Sequence, residues 1–409
     1  MPSEEDRNCC VLAKFFIINK IIIFVVIDLG EDYKQVYEGF FFINQRNHTN
    51  QMGQLLRFLA FPFALCYGLV IRIRNKCFDT GWFCKSKSYP IPLISLGNLT
   101  MGGTGKTPHI EYLIRLLEPK KLKIATLSRG YGRRTRGYRI AEASDNAEII
   151  GDEPMQYVRK FRNITVAVAE SRREGIEKLL KGTSRFDVIL MDDAFQHRWV
   201  KPGLSILLTD FHNLYTEDHL IPTGTLREHA SSSTRADIII VTKSGRVLSP
   251  ITRRNLTDQL APAAHQRLYF SYITYDKLKP LPGVNCPKPA DCYSSLLVFS
   301  GIANTYPFKY YLTKLCSHME SLNFPDHHRY SLQDINGILK KYDDIFTKNK
   351  AIVTTEKDAM RLQRPEILNL LKGIPIYYLP IKIAFHNGDG EAFNQDVLSF
   401  VSKYRRGID

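Results

Sequence analysis

The sequence lacks the cysteine patterns of a zinc site or a disulfide scaffold. Its eight cysteines form no C-x-x-C pair and no metal-binding spacing. We therefore expect reduced thiols in a cytosolic chain. The sequence also lacks internal repeats and low-complexity segments. Its hydrophobic and charged fractions, 44% and 24%, are those of a globular protein rather than of a disordered or fibrous one.

A secretory signal is also lacking. The apolar stretch at residues 11–30 is interrupted by Lys14 and Lys20, follows acidic residues and has no small-residue cleavage site. Residues 1–51 contain more acidic than basic side chains, so the excess charge of the chain, +15, lies beyond them. This charge favours a nucleic-acid, anionic-lipid or phosphorylated partner without choosing among them. Met52 is a second possible start of the functional chain, and we regard residues 1–51 as an extension of uncertain status.

Residues 52–90 predict a helix that lies at a membrane interface. The segment from Leu55 to Ile73 is mostly apolar, contains Pro62 and is barely long enough to span a bilayer. Basic residues flank it: Arg57, Arg72, Arg74 and Lys76. An apolar body with basic ends suits the surface of an anionic leaflet, which we favour over a core helix and over a true span.

From residue 90 onward, short runs of isoleucine, valine and leucine alternate with amphipathic segments. Such runs are typical of strands that are buried on both faces of a parallel sheet. We predict an α/β fold of the P-loop NTPase type, with a mostly parallel sheet flanked by helices in residues 91–262. The apolar runs after residue 262 predict a second, smaller α/β domain in residues 263–409.

The segment "SLGNLTMGGTGKTP" (residues 95–108) predicts a nucleotide site. It follows a predicted strand and opens a helix, where backbone N–H groups converge on a phosphate. Thr100 stands where the general pattern has glycine, but the remaining glycines leave the backbone free to adopt φ > 0. The predicted ATP-binding residues are Thr100, Met101, Gly102, Gly103, Thr104, Gly105, Lys106 and Thr107. Lys106 would reach the β- and γ-phosphates, and the Thr107 hydroxyl would bind Mg²⁺.

Two adjacent carboxylates are the expected partners of this loop. In "FDVILMDDAFQHR", Asp192 and Asp193 follow a predicted buried strand, and ligands of open α/β sheets bind at such strand ends. Either carboxylate could serve Mg²⁺ or Lys106. We assign Asp192 to the metal and Asp193 to the nucleotide site, and the division between them stays open.

The acceptor side of the reaction is predicted from two loops. "IIGDEPMQ" contains Asp152 in what reads as an irregular exposed turn, and "NFPDHHRYS" contains His327 in the second domain. Together they are typical of an acid and an imidazole in a shared cleft, so we predict both as catalytic. The arginine-rich segment "LSRGYGRRTRG" suits an anionic substrate. We assign Arg129 and Arg133 of this segment, together with Arg227, to substrate binding.

The order of these motifs resembles the tetraacyldisaccharide 4′-kinase (lipid A 4′-kinase) family. The resemblance runs from about Met52 to the carboxyl terminus and also includes "RADIIIVTK", "FSGIAN" and "TTEKDAMR". It implies a monotopic enzyme on the cytoplasmic face of the inner membrane. This enzyme would use ATP and Mg²⁺ to phosphorylate the 4′-hydroxyl of a lipid A disaccharide precursor. The resemblance further implies that Asp152 is the general base paired with His327, and that Asp192 and Asp193 serve Mg²⁺ and Lys106.

Two other functions fit parts of the sequence. A P-loop NTPase switch that binds a protein or nucleic acid would also use the positive charge. A soluble small-metabolite kinase would leave the segment from Leu55 to Lys76 without a role. We therefore expect a membrane surface as partner, with no nucleic acid and no obligate protein partner.

Overall fold

The computed structural model describes residues 51–81, 84–142, 144–182, 185–326 and 328–406, and the side chains of 58–404 within them. Residues 1–50 of the predicted extension lie outside this range, and so does His327. The chain divides into two compact units. Within the described residues, one contains the chain from Gln51 to Ile71 with His219–Thr225, and the other contains Arg72–Asp218 and the chain from Leu226 to Arg406.

A nine-stranded sheet forms the core of the larger unit. Its nine strands are β1 (Leu93–Asn98), β2 (Ile124–Ser128), β3 (Arg139–Ile140), β4 (Ile164–Val168), β5 (Val188–Asp192), β6 (Leu204–Asp210), β7 (Ile238–Thr242), β8 (Arg267–Tyr275) and β14 (Ile381–Phe385). The strand order is β14-β8-β7-β6-β1-β5-β2-β4-β3, and the seven strands from β8 to β4 are all parallel. The edge strands β14 and β3 are antiparallel to their neighbours.

The central strands are continuous apolar runs because both faces of this sheet are covered. All residues of β1, β2, β5 and β7 are buried. The described helices that accompany the sheet are α1 (Gln51–Thr80), α2 (Lys106–Leu117), α3 (Ala147–Ile150), α4 (Asp152–Lys160), α5 (Arg172–Lys181), α6 (Pro250–Leu260) and α11 (Asp389–Arg406). The predicted fold class, a mostly parallel α/β sheet flanked by helices, is confirmed.

A second sheet of five strands has the order β11-β10-β12-β13-β9. Its strands are β9 (Lys279–Pro280), β10 (Tyr293–Ser300), β11 (Cys316–Asn323), β12 (Lys350–Thr355) and β13 (Ile376–Leu379). All pairs except β13 with β9 are parallel. The helices of this region are α7 (Tyr306–Leu312), α8 (Leu332–Asp343), α9 (Glu356–Arg361) and α10 (Pro365–Leu370).

The boundary predicted at residue 262 does not separate the two sheets. Strands β8 and β14 and helix α11 lie beyond it, yet all three belong to the nine-stranded sheet or pack on it. The run "IPIYYLPIKIAF" (residues 374–385) is one of the apolar runs after residue 262 from which we predict the small domain. It divides at Pro380, so that β13 pairs in the small sheet and β14 in the large one. Proline has no N–H to donate to a ladder, which makes it a natural break between strands.

Helix α1 has exposed apolar side chains from Phe58 onward. Phe58 and Phe63 are 76% and 70% exposed, and several further large apolar side chains of this helix are also exposed: Leu59, Phe61, Leu65, Leu69 and Ile73. Among the residues that the structure describes, Phe58–Thr80 is one helical segment whose length and composition would allow it to cross a membrane. Taken alone, these two properties are weak evidence for a span.

Candidate active site

The glycine loop joins β1 to α2 at the centre of the large sheet. The strand ends at Asn98 and the helix begins at Lys106. Gly102 and Gly105 have φ values of 126° and 88°, which are conformations that favour glycine. Because a strand end and a helix amino terminus meet here, the backbone N–H groups between them are placed to receive an anion.

Lys106 lies between two oxygen partners at the ends of β1 and β5. Its Nζ donates a hydrogen bond to Asn98 Oδ1 at 3.2 Å and is 3.6 Å from Asp193 Oδ1. Asp193 also accepts hydrogen bonds from Arg227 Nη1 at 3.2 Å. Burial would raise the pKa of Asp193, but Arg227 and Lys106 hold that pKa well below its usual range. Of the two aspartates between which the sequence left the choice open, Asp193 is the one that lies beside the loop lysine.

Asp192 is the last residue of β5 and is buried. Tyr157 of α4 donates a hydrogen bond to its Oδ2 at 2.8 Å, whereas its buried Oδ1 has no hydrogen-bond partner among the described residues. Burial, together with the charge of Asp193, raises the pKa of Asp192 to about 6. Mg²⁺ in nucleotide sites takes one or two protein oxygens along with phosphate and water. The unpartnered Oδ1 of Asp192 and the hydroxyl of Thr107 fit that requirement.

Side chains of β7 and α2 contact backbone carbonyl groups of the glycine loop. Thr242 Oγ1 donates to the carbonyl of Thr104 at 2.8 Å. His109 Nδ1 is 2.7 Å from the carbonyl of Gly105, and its Nε2 is 3.1 Å from Ser271 Oγ. Burial lowers the pKa of His109 to about 4, so the ring is neutral at neutral pH. Nδ1 must then carry the proton to bond the carbonyl, and Nε2 accepts from the serine.

Asp152 lies on a helix rather than in the irregular exposed turn that we predicted. It is the first residue of α4, and its side chain is 20% exposed. The proline that suggested a turn, Pro154, falls in the first helical turn, where its missing N–H costs nothing. The preceding Gly151 has φ 98°, and a Cβ there would come within about 3.0 Å of the Gly130 backbone. The arginine-rich loop and the Asp152 turn are therefore in close contact.

Arg361, a residue that the sequence reasoning missed, holds Asp152. Its Nε donates to Asp152 Oδ2 at 2.9 Å, and its Nη1 donates to the Gly301 carbonyl at 3.0 Å and to Asp358 Oδ1 at 2.9 Å. Arg361 belongs to α9 of the small sheet, so this ion pair connects the strand-end edges of both sheets. Its only sequence signal was membership of the segment "TTEKDAMR".

The predicted partner His327 lies outside the described residues, but its neighbours are described. His328 Nε2 is 3.0 Å from Asp334 Oδ2. The charge of Asp326 contributes to the raised pKa of Arg361, together with Asp152 and Asp358 and against the effect of burial. Asp326, the residue before His327 in the sequence, is thus near the guanidinium that contacts Asp152. Catalysis by a pair of Asp152 and His327 stays a prediction.

The three predicted substrate-binding arginines have different surroundings. Arg227 contacts Asp193, and Arg129 is exposed at the end of β2. The side chain of Arg133 is only 3% exposed, and its Nη2 is 2.6 Å from both Glu170 Oε1 and the Gly137 carbonyl. Arg133 therefore stabilises its own loop, and a role for it in substrate binding stays a prediction.

Further residues that support the site were also missed. Arg172 is 1% exposed and donates to the backbone carbonyls of Ala169 and Asp192, which fixes the turn after β5. Gln196 donates to the Asn98 carbonyl at 2.8 Å. Arginine and glutamine at such positions look like surface residues in sequence, because only the fold reveals which carbonyls they contact.

The parallel sheet, the glycine loop with its bound lysine and the carboxylates at the next strand end define a P-loop nucleotide-binding protein. A family model described as "Tetraacyldisaccharide-1-P 4'-kinase" matches residues 56–402. The chain belongs to this family of kinases, as the order of its motifs predicted.

Relatives and a solved structure agree with this assignment. A tetraacyldisaccharide 4′-kinase of Bacteroides thetaiotaomicron is 44% identical, over 85% of this chain and 93% of its own. One from Flavobacterium johnsoniae is 42% identical, over 85% of this chain and 98% of its own. The crystal structure of "apo" form LpxK from Aquifex aeolicus in complex with ATP superposes with a TM-score of 0.63 at 27% identity. That match covers 85% of this chain and 99% of the other.

Proposed function

We propose that this chain transfers the γ-phosphate of ATP to the 4′-hydroxyl of a tetraacylated disaccharide 1-phosphate in lipid A biosynthesis. The chain belongs to the tetraacyldisaccharide-1-P 4′-kinase family, and relatives carrying that kinase name are 42–44% identical over 85% of its length. ATP is the nucleotide in the similar solved structure. The acceptor follows from the family name.

The phosphate loop binds the nucleotide. Lys106, held between Asn98 and Asp193, provides a positioned cation for the β- and γ-phosphates, and Arg227 adds a second one beside Asp193. Asp192 and Thr107 would hold Mg²⁺. When bound, the metal neutralises charge on the phosphate oxygens. Tyr157 keeps the Asp192 carboxylate oriented through its hydrogen bond to Oδ2.

Asp152 accepts the proton of the attacking hydroxyl. Arg361 fixes the direction of this carboxylate from the opposite sheet, and Asp326, one residue before His327 in the sequence, approaches the same guanidinium. His327 would hold the carboxylate or share its proton. Arg129, exposed at the end of β2 next to the Asp152 turn, would contact the anionic acceptor.

The enzyme meets its lipid substrate at the cytoplasmic face of the inner membrane. The exposed apolar side chains of α1 supply the area that enters the interface, and the exposed Arg72 and Lys76 supply attraction to anionic lipid. A peripheral, monotopic attachment by this helix accounts for the basic residues that follow its apolar part.

The observation that carries the proposal is the contact of Asp152 with Arg361. It connects the large sheet, whose edge bears the phosphate loop, to the strand-end edge of the small sheet. The test incubates the full chain with γ-labelled ATP, Mg²⁺ and a detergent-dispersed disaccharide 1-phosphate. A matched acceptor with a blocked 4′-hydroxyl is the control. We expect labelled lipid only from the free 4′-hydroxyl.

Two results would contradict the proposal. Release of labelled phosphate without labelled lipid would favour an NTPase switch. Equal labelling of the blocked acceptor would mean that another hydroxyl or the 1-phosphate is the acceptor.

A further inference from the structure

The last turns of α1 contact the loops that hold the phosphate-loop lysine. Residues 72–80 of this helix belong to the same compact unit as both sheets, whereas the helix up to Ile71 belongs to the other unit. Phe78 is buried and packs edge-on against Trp199 with ring centroids 5.0 Å apart. Arg198 donates to the Asn75 carbonyl at 2.9 Å and to Asp79 at 2.6 Å. This end of the helix is therefore fixed on the loop that follows Asp193.

A first chain of hydrogen bonds leads from Arg74 to Lys106. Arg74 Nη2 donates to the backbone carbonyl of Gln196 at 2.6 Å. The side chain of Gln196 in turn donates to the carbonyl of Asn98 at 2.8 Å. The side-chain oxygen of Asn98, which is fully buried, accepts from Lys106 Nζ at 3.2 Å.

A second path leads from the same arginine through Glu228. Arg74 Nη1 is 3.6 Å from Glu228 Oε1, a fully buried atom without a hydrogen-bond partner among the described residues. Arg235 and Asn75 contact the other oxygen of that carboxylate, at 2.7 and 3.1 Å. The residue before it, Arg227, contacts Asp193, and Asp193 is 3.6 Å from Lys106. Both paths therefore start at one guanidinium and end at one ammonium group.

We propose that Arg74 is a positioning residue for phosphoryl transfer, which acts on Lys106 through Gln196 and Glu228. Removing its guanidinium leaves a buried carboxylate oxygen and a backbone carbonyl without their cation. The loops at Gln196 and Glu228 then each lose one of the contacts that fix them, and Lys106 is held less firmly in position. Small misplacements of groups that bind a reacting phosphate have large effects on rate. The helix that we assign to the membrane would thus also complete the nucleotide site.

Arg72 offers a matched control on the same helix. It carries the same charge two residues earlier, and it is exposed. Each cationic residue near an anionic membrane contributes about 1 kcal/mol of attraction, which corresponds to roughly fivefold in partition. Arg72→Ala should therefore lose vesicle binding to about this extent, and Arg74→Ala should lose less, because its guanidinium contacts Gln196 and Glu228. Only the second variant changes the nucleotide site.

The experiment measures four quantities for the full-length wild type, Arg72→Ala, Arg74→Ala and Arg74→Lys. They are the dissociation constant of ATP, kcat, KM for the detergent-dispersed lipid, and partition onto anionic vesicles. We expect Arg74→Ala to lower kcat about tenfold and to weaken ATP binding severalfold, by analogy with the loss of a preorganised donor. Its lipid KM should rise no more than that of Arg72→Ala. Arg74→Lys, which keeps the charge but can replace only one contact, should recover part of the loss.

Equal kcat and equal ATP affinity in Arg72→Ala and Arg74→Ala would overturn the proposal. If Arg74→Ala does not fold, Gln196→Ala interrupts the first path at another position and should reproduce the loss. Full activity in that variant would also overturn it. The kinetic part depends on the proposed lipid kinase function, but ATP affinity does not. Absence of labelled lipid from the wild type would therefore contradict the function and leave the ATP comparison to decide on Arg74.

Discussion

The ends of β1 and β10 in this molecule have nearby side chains of opposite charge. After β1, the glycine loop leads to Lys106, a cation. After β10, the N–H of Gly301 donates to Asp358 Oδ2 at 3.0 Å, and the same fully buried carboxylate accepts from Thr355 Oγ1 at 2.6 Å. In the small sheet the protein itself supplies the anion that the strand-end N–H groups attract. In the large sheet the carboxylate of Asp193 is paired with Lys106 and Arg227, and we expect a ligand to supply the anion for the N–H groups of the glycine loop.

This difference shows that the end of a parallel strand is not by itself a phosphate site. The charge of the first side chains on the following elements decides whether the edge binds a ligand or stabilises the fold. Asp152 and Arg361 connect the two edges. The comparison can therefore be tested at this ion pair, at the strand-end edge of each sheet, and at the side chain that contacts the glycine loop from α2.

The largest loss of activity is expected at Asp152, which connects the two sheets through Arg361. Replacing Asp152 by alanine should lower kcat by about 10²–10⁴, the usual value of a positioned general base. His327→Ala should also be strongly impaired. If the two residues act as a unit, the double variant should lose much less than the product of the single losses. Single-turnover rates at saturating ATP measure all three variants.

ATP affinity is the control for the Asp152 and His327 variants, because neither residue belongs to the phosphate loop. It should barely change. Strictly multiplicative losses would mean that the two residues work independently, and the pair would then be abandoned.

At the edge of the large sheet, Lys106→Ala should leave the fold intact and lower activity by roughly 10²–10³ or more, because the γ-phosphate loses its positioned cation. Circular dichroism and thermal unfolding check the fold, and labelled-lipid formation checks activity. A turnover rate close to that of wild type in this variant would contradict the prediction that the loop binds the nucleotide.

At the edge of the small sheet, Asp358→Ala should act chiefly on stability. It leaves the Arg361 guanidinium and the Gly301 N–H without their buried carboxylate, and breaking such a pair costs about 3 kcal/mol. Urea unfolding measures this loss, with Asp344→Ala, an exposed position in the same half of the chain, as the control. Equal stability of the two variants would show that the internal anion does not stabilise this edge.

The smallest effect is expected from His109 behind the loop. Its pKa falls on folding from 6.5 to about 4 because of burial, so the unfolded chain binds a proton first as the pH falls. Its stabilising contribution is complete above pH 6.5 and is lost progressively towards pH 4. Between about pH 7.5 and 5.5, wild type should lose about 1 kcal/mol more than His109→Gln, which does not titrate. Parallel stability curves for the two proteins would contradict the buried neutral ring.

Much of the fold and part of the site could be predicted from local sequence. The buried strands around the loop are continuous apolar runs, and "GGTGKT" between a strand and a helix indicates phosphate binding without further context. That one of the two adjacent aspartates lies near Lys106 also followed, because parallel strands bring their carboxyl ends to one edge. These inferences depend on interactions within a few residues or on a general property of parallel sheets.

Other features depended on contacts between distant segments. No local pattern shows that Ile381–Phe385 leaves the small sheet to pair with β8, since an apolar run fits either sheet. Nor does it show that Arg361 contacts Asp152, 209 positions earlier. Asp152 itself was misjudged because Gly151 and Pro154 favour a turn as much as the start of a helix.

The sequence by itself therefore determined the class of fold, the phosphate loop and the family, because each is written in short segments with their own physical signature. Tertiary structure alone decided which strands share a sheet, which carboxylate of the two neighbouring aspartates meets the lysine, and which side chains support the site from behind. A guanidinium such as that of Arg74 or Arg361 can bond any carbonyl or carboxylate within reach. Only the packing of the whole chain selects its partners.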